Sequence, residues 1–301
     1  MKPTRNQELA VLRSVAYAAL FDYPLTLAQL HTSLIGEPAE PYAIESWWRQ
    51  SELLQATIEY RDGLFYPRGR ADLVPLRGRR ETVSRELLAS NEGLLQLMAR
   101  MPFVRMVAVS GSLAHLNAEP SADLDVFVIT APGRVWSVTL SILVMARLLG
   151  CRRRLCLNYV VSERALAIEP RDLFAANQII HLKPICGRDV FGRFVAANPF
   201  VAATYPNFAS GHSMPEPTIV KTAIERAAAI AAPVLERLAR FVYGWHLRRR
   251  SAGWQSRDQV RLERECLKLH TTSHRAATLE RYDAAVAALM REASKKAALA
   301  S

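Results

Sequence analysis

Apolar side chains recur at helical spacing through residues 8–20 (ELAVLRSVAYAAL), and Thr26 stands where a capping residue would open a second helix. A third helix is predicted over residues 42–54. Two short β-prone runs then flank Asp62-Gly63 within residues 58–68, the strongest hairpin signal in the chain. Three helices and a hairpin predict a winged-helix-like module over residues 1–75. A long polar helix, residues 76–101, is expected to connect it to the middle of the chain.

The pattern then changes. Residues 107–110, 124–130 (LDVFVIT) and 155–161 (LCLNYVV) read as strands, with helices predicted over 113–117 and 134–149 between them, so residues 101–200 are expected to form an α/β domain with a mixed sheet. The longest apolar stretch, residues 135–150, contains Arg147 and is shorter than the ~20 residues a bilayer requires, which predicts a buried helix and no transmembrane segment. Residues 171–182 are predicted helical. The Pro, Asn and Gly content of residues 198–217 suggests an exposed linker, with 201–218 as the boundary. Residues 219–301 are rich in Ala, Leu, Glu and Arg and are expected to form a basic helical domain of two or three helices. The predicted fold class is α+β, in three parts.

With 301 residues, half of them hydrophobic, the chain is too long for one core and too apolar for disorder. Four cysteines (Cys151, Cys156, Cys186, Cys266) without a CxxC pair do not make a disulfide scaffold. The first residues lack the apolar core and cleavage site of a secretory signal, and a cytoplasmic protein is expected.

The formal charge is +11, from 39 Lys+Arg and 28 Asp+Glu. Its distribution decides more than its sum. Residues 1–75 hold 7 Lys+Arg and 9 Asp+Glu, so specific DNA binding by the first module is not expected; protein docking or capping of a substrate suits it better. Trp47 and Trp48 could stack on bases, although core packing is the commoner use. Residues 219–301 hold 16 Lys+Arg and 8 Asp+Glu, and Arg248-Arg249-Arg250 is their densest run. A solvated basic face is the simplest reading; contact with RNA, a nucleotide or an anionic membrane is the alternative.

The candidate chemistry lies in residues 107–130, VAVSGSLAHLNAEPSADLDVFVIT. Side chains at i and i+2 of a strand share a face, so Asp123 and Asp125 point the same way while Leu124 turns to the core. Two hard carboxylates suit Mg²⁺, with Mn²⁺ as a substitute, the remaining positions being filled by water and substrate phosphates. Gly111 lets backbone approach a polyphosphate, and Ser112 opens the following helix with a hydroxyl beside amide donors. His115 comes three residues later. His270 and His274, four apart, would share a helix face, but no third zinc ligand is evident in the sequence around them.

An apolar strand, Gly111-Ser112, a short spacer and Asp123-Leu124-Asp125 entering another strand together resemble the polymerase-β-like nucleotidyltransferase superfamily. The match covers about residues 103–162. The resemblance implies that Gly111 and Ser112 hold the triphosphate of an NTP, that Asp123 and Asp125 are catalytic metal ligands, and that an NMP passes to an acceptor with release of pyrophosphate. Active members carry a third carboxylate on the next strand, where Asn158 is the candidate here. An amide oxygen can ligate a cation but brings no charge, so Asn158 is an auxiliary catalytic residue, or Glu163 or Asp172 substitutes, or the site binds nucleotide with weak turnover. Arg152, Arg154 and Lys183 are further candidates for NTP phosphates. The whole layout is also similar to bacterial nucleotidyltransferase-like proteins with an N-terminal winged-helix-like module. It leaves the acceptor open among RNA, protein and a small molecule. The competing reading is a nucleotide-sensing or nucleic-acid- or protein-binding protein built on a degenerate transferase domain.

Overall fold

A computed structural model describes residues 2–210, 221–256, 259–269 and 274–299. Helix α1 (Arg5–Ala19) opens on a capping box in which Thr4 Oγ1 accepts from Gln7 N at 3.3 Å and Gln7 Oε1 accepts from Thr4 N at 2.9 Å. Thr26 and Gln29 repeat the device between the short strand β1 (Leu25–Thr26) and α2 (Leu27–Thr32). The helix expected over residues 42–54 is two, α3 (Ala43–Gln50) and α4 (Glu52–Thr57). Ser51 takes extended backbone between them, and its hydroxyl restarts the helix by accepting from Leu54 N at 3.1 Å.

Strands β2 (Ile58–Arg61) and β3 (Leu64–Pro67) form the predicted hairpin, with Asp62 and Gly63 at φ 54° and 76°. Strand β3 lies between β1 and β2 in a small antiparallel sheet. Trp47 is buried in this module, and the Trp48 indole N–H donates to Ile58 O at 3.1 Å with its ring edge-on to Tyr60. Both tryptophans are therefore packing residues and not free base-stacking surfaces.

The connecting helix is also divided, into α5 (Leu73–Ser90) and α6 (Glu92–Arg100), because Asn91 leaves helical backbone and its side-chain amide donates to Leu87 O at 2.7 Å. The central sheet comes next. Strand β4 (Val104–Val109) leads through the one-turn helix α7 (Gly111–Ala114) to β5 (Leu124–Thr130). Helix α8 (Val135–Leu148) crosses over to β6 (Leu155–Ser162). Then come α9 (Leu173–Ile180), β7 (Lys183–Cys186), α10 (Arg188–Ala196), α11 (Phe200–Thr204), α12 (Lys221–Ala228) and α13 (Ala232–Arg250). Strands β8 (Val260–Leu262) and β9 (Cys266–Leu269) and helix α14 (Arg275–Leu299) complete the chain.

The strand order is β7-β4-β5-β6-β9-β8; β5 and β6 are parallel and the remaining neighbours antiparallel, so the protein is α+β with a mixed sheet. Alternation along β5 sorts its side chains: Leu124, Val126 and Val128 enter the core beneath α6 and α8, and Phe127 and Ile129 enter the second core beneath α9 and α10. Asp125 shares the parity of the second set, at the end of the strand where that core stops.

Three expectations are corrected. Residues 260–269, expected to be helical, are strands that extend the central sheet. The described part of the expected linker is folded: Val201 and Tyr205 are buried, and the Asn207 side chain accepts from Ala39 N at 2.9 Å and donates to Glu37 O at 3.0 Å, tying it to the first module. Residues 211–217 of that linker lie outside the described residues. Helix α8 buries only one side, leaving Val144, Leu148 and Leu149 exposed. No helix among the described residues is long and apolar enough to cross a membrane.

Candidate active site

The chain turns from β4 into α7 at Gly111, whose φ is +64°, in the left-handed region that favours glycine. The turn is clamped to the neighbouring strand by Ser110 N donating to Asp125 O at 2.9 Å. A Cβ on Gly111 would overlap Oδ2 of Asp125. The sequence thus needs glycine here twice, for its dihedral angle and for the carboxylate laid against its backbone. Gly111→Ala is expected to cost about 2 kcal/mol or more in urea unfolding, from left-handed strain plus displacement of Asp125. A loss under about 0.5 kcal/mol would show that the carboxylate moves aside freely.

Asp123 lies just before β5, exposed, and Asp125 is half-buried. Burial first, and the Asp123 charge second, push the Asp125 carboxyl up to about 6, opposed by a hydrogen bond from Cys156. The Cys156 thiol also donates to Asp123 Oδ2 at 3.4 Å, so one thiol touches both carboxylates. Burial and the two aspartates push that thiol up to about 12. It stays a neutral donor at physiological pH.

Two cavities meet at this point. The first, about 340 Å³, runs from Gly111, Ser112 and Asp125 to the wall made by Tyr17, Phe21 and Tyr23 of the first module. Among the described residues no Lys or Arg lines it. The rings of His115 and His181 stack there with centroids 3.9 Å apart. Burial holds His115 well below the ordinary imidazole range and His181 down to about 4, so both are neutral at physiological pH. The Tyr17 hydroxyl, also on this wall, is buried and has no hydrogen-bond partner among the described residues. The second cavity, about 310 Å³, shares Gly111, Asp125, Phe174, Gln178 and His274 with the first and adds the cations Lys268 and Arg275. Lys268 is buried, donates to Glu169 O and Gln259 Oε1 at 3.3 Å, and is held below the ordinary lysine range by burial. Arg275 is paired with Asp172.

The structure therefore brings Gly111, Ser112 and Asp125 together on the first cavity, and ties Asp123, which lines neither cavity, to Asp125 through the Cys156 thiol. The other candidates fare differently. Asn158 lies in β6, and its side chain is outside the described residues. In the parallel ladder the residue opposite Asp125 is Cys156, and a register shift intervenes before Phe127 pairs with Tyr159. Glu163 and Asp172, the substitutes for a third acid, are engaged by arginines: Glu163 by Arg193 at 2.8 Å, and Asp172 by Arg275 while it caps α9. Arg152 donates to Leu155 O and lines a groove between α8 and α13, while Arg154 is exposed; neither they nor Lys183 line the two cavities. His274 reaches both cavities, and His270 is outside the described residues. Helix α7 is a single turn, so the amide donors expected beside Ser112 reduce to a few local backbone N–H groups.

Sequence reasoning missed Cys156, His181, Lys268 and Arg275. Only Cys156 left a trace, at i+2 spacing from Asn158. Among the described residues no group of three or more His, Cys, Asp and Glu could hold a metal ion. Comparison of the chain with family models, curated proteins and solved structures finds no match.

Proposed function

We propose that the protein transfers a nucleotidyl group from an NTP to an acceptor hydroxyl. The observation that carries this reading is the convergence of Asp123 and Asp125 on the Cys156 thiol beside the Gly111 bend, where two cavities join. Two acids that repel one another, one exposed and one half-buried, favour a cation, and two carboxylates match what Mg²⁺ takes from a protein when phosphates supply the rest. The donor set fits that ion in its hard oxygens; the neutral thiol is a poor Mg²⁺ ligand and serves better to fix the Asp123 carboxylate. Bound there, Mg²⁺ or Mn²⁺ would neutralise charge developing on the phosphoryl oxygens and orient the triphosphate.

In this reading Gly111 and Ser112 hold phosphate through backbone N–H and hydroxyl groups. The second cavity, with Lys268, suits further phosphoryl oxygens, and the part of the first walled by Tyr17, Phe21 and Tyr23, away from Ser112, suits an uncharged part of a ligand. The acceptor oxygen bonds to the α-phosphorus, the α–β bridging P–O bond breaks, pyrophosphate leaves, and the acceptor proton passes to solvent. The first module, winged-helix-like in its order of helices and hairpin, acts as a cap by contributing the Tyr17–Tyr23 wall. The four free cysteines accord with the cytoplasm.

Incubation with each α-labelled NTP, Mg²⁺ or Mn²⁺ and a cell extract tests the reading. Label should pass to an acceptor fraction, stop with EDTA, and fall by at least ~10²-fold in Asp123→Asn. A specific observation supports a second reading: the ladder neighbour of Asp125 is a neutral thiol, and Glu163 and Asp172 are taken by arginines. A nucleotide sensor would bind NTP with the metal and transfer nothing. Absence of any metal-dependent NTP binding would remove both.

A further inference from the structure

Helix α13 buries Ala232, Glu236, Ala239 and Leu247 against the body of the protein. Its opposite side carries Val234, Leu235, Leu238, Phe241, Val242 and Trp245, all exposed, with Val234 at 64% and Phe241 at 72%. Helical spacing sets these six on one broad stripe. Val242 and Trp245 share an open groove with Val144 and Arg147 of α8, whose neighbour Leu148 is 83% exposed, so the two apolar surfaces are continuous. Soluble surfaces rarely leave so many large aliphatic and aromatic side chains together without a partner.

The charge around the stripe identifies the partner. Arg237, Arg240, Arg248, Arg249 and Arg250 of α13 are exposed, as are Arg147 and Arg152 to Arg154 at the end of α8. The Arg249 guanidinium sits 3.7 Å from the centroid of the Trp245 ring. Residues 134–154 contain no acid, and residues 226–256 contain only Glu236, which is buried against α8. A second copy of this face would bring arginines against arginines. Nucleic acid would answer the charge and leave the valines and leucines unburied. An anionic lipid surface answers both, taking the apolar stripe at the acyl boundary and the arginines among its headgroups.

We propose that the exposed faces of α13 and α8 form a docking surface for an anionic membrane, on which the protein lies peripherally. The proposal is independent of the nucleotidyl-transfer reading. Full-length protein should cosediment at low salt with vesicles containing about a third phosphatidylglycerol at least ~10-fold more than with pure phosphatidylcholine, and be released near ~0.5 M salt. Trp245 emission should shift to the blue on binding. Leu238→Ser with Phe241→Ser removes exposed groups only; it should keep the wild-type melting transition and lose vesicle binding at least ~10-fold. Arg248→Gln with Arg249→Gln should weaken binding and flatten its salt dependence.

The proposal is overturned if anionic vesicles are not bound, or if the serine variant binds them as wild type does. It is equally overturned if light scattering shows a dimer that the serine variant dissolves, or if single-stranded RNA binds tightly with no effect of the serine variant.

Discussion

Replacing Asp125 by asparagine is expected to lower nucleotidyl transfer by at least ~10²-fold and at the same time to make the metal-free protein more stable. On the proposed function, the loss comes from removing one of the two charges that would hold the cation. The gain comes from the environment: burial and Asp123 raise the Asp125 carboxyl to about 6, above its value in the unfolded chain. A raised acid binds its proton more tightly in the folded state, so keeping it ionised at neutral pH opposes folding. The displacement corresponds to roughly 3 kcal/mol at full weight, and to about 1–2 kcal/mol after allowing for its partial exposure to solvent.

The pH dependence has a definite sign. As pH rises from about 4 to 6 the metal-free wild type should lose this stability, and it should regain it on acidification, whereas Asp125→Asn should show no such component. Thermal melts of both proteins across that range decide the matter. A variant that melts lower than wild type at neutral pH would mean that the carboxylate is stabilised by partners and is not held for a ligand.

Glu236→Ala should cause the largest loss of stability, about 2–4 kcal/mol in urea unfolding. Helix α8 follows Arg134, which gives it no side-chain cap. The missing acceptor comes from α13, about a hundred residues later: Glu236 accepts from Trp136 N at 3.0 Å, Ser137 N at 2.8 Å and Ser137 Oγ at 2.6 Å. Truncation leaves two helix N–H groups, one buried and one half-buried, without an acceptor and opens a gap beside the Trp136 backbone. Glu236→Gln keeps one acceptor oxygen and should cost less. Because the same contact fastens α13 to the body, the alanine variant should also loosen the proposed docking face. A cost under about 1 kcal/mol would show that water replaces the carboxylate easily.

Much of the fold was legible where a local rule acts alone. Asp62-Gly63 dictates its hairpin, Thr26 marks the cap of α2, and the apolar run LDVFVIT marks β5 to its ends. The elements that escaped depend on distant partners. Residues 266–269 (CLKL) are too short to show a period, and they become a strand because Lys268 pairs with Tyr159 on β6. Ser51 and Asn91 break helices through side-chain hydrogen bonds that compete with a favourable helical pattern.

The candidate site divides in the same way. Gly111 and Asp125 were readable because adjacent antiparallel strands place a strand end beside the next strand's start. Cys156 was not, since a parallel register with a shift between Asp125 and Phe127 cannot be counted along the chain. Lys268 and Arg275 reach the second cavity only through the fold, while Arg152, first of the Arg152 to Arg154 run, borders α8 and α13 instead.

The most direct test of the account is the anomalous signal of Mn²⁺ in crystals grown with a non-hydrolysable NTP analogue. An ion is expected within ~2.2 Å of oxygens from both Asp123 and Asp125, sharing phosphoryl oxygens that rest against Gly111 and Ser112. Analogue bound with its metal elsewhere, or the two carboxylates parted with no ion between them, would contradict it.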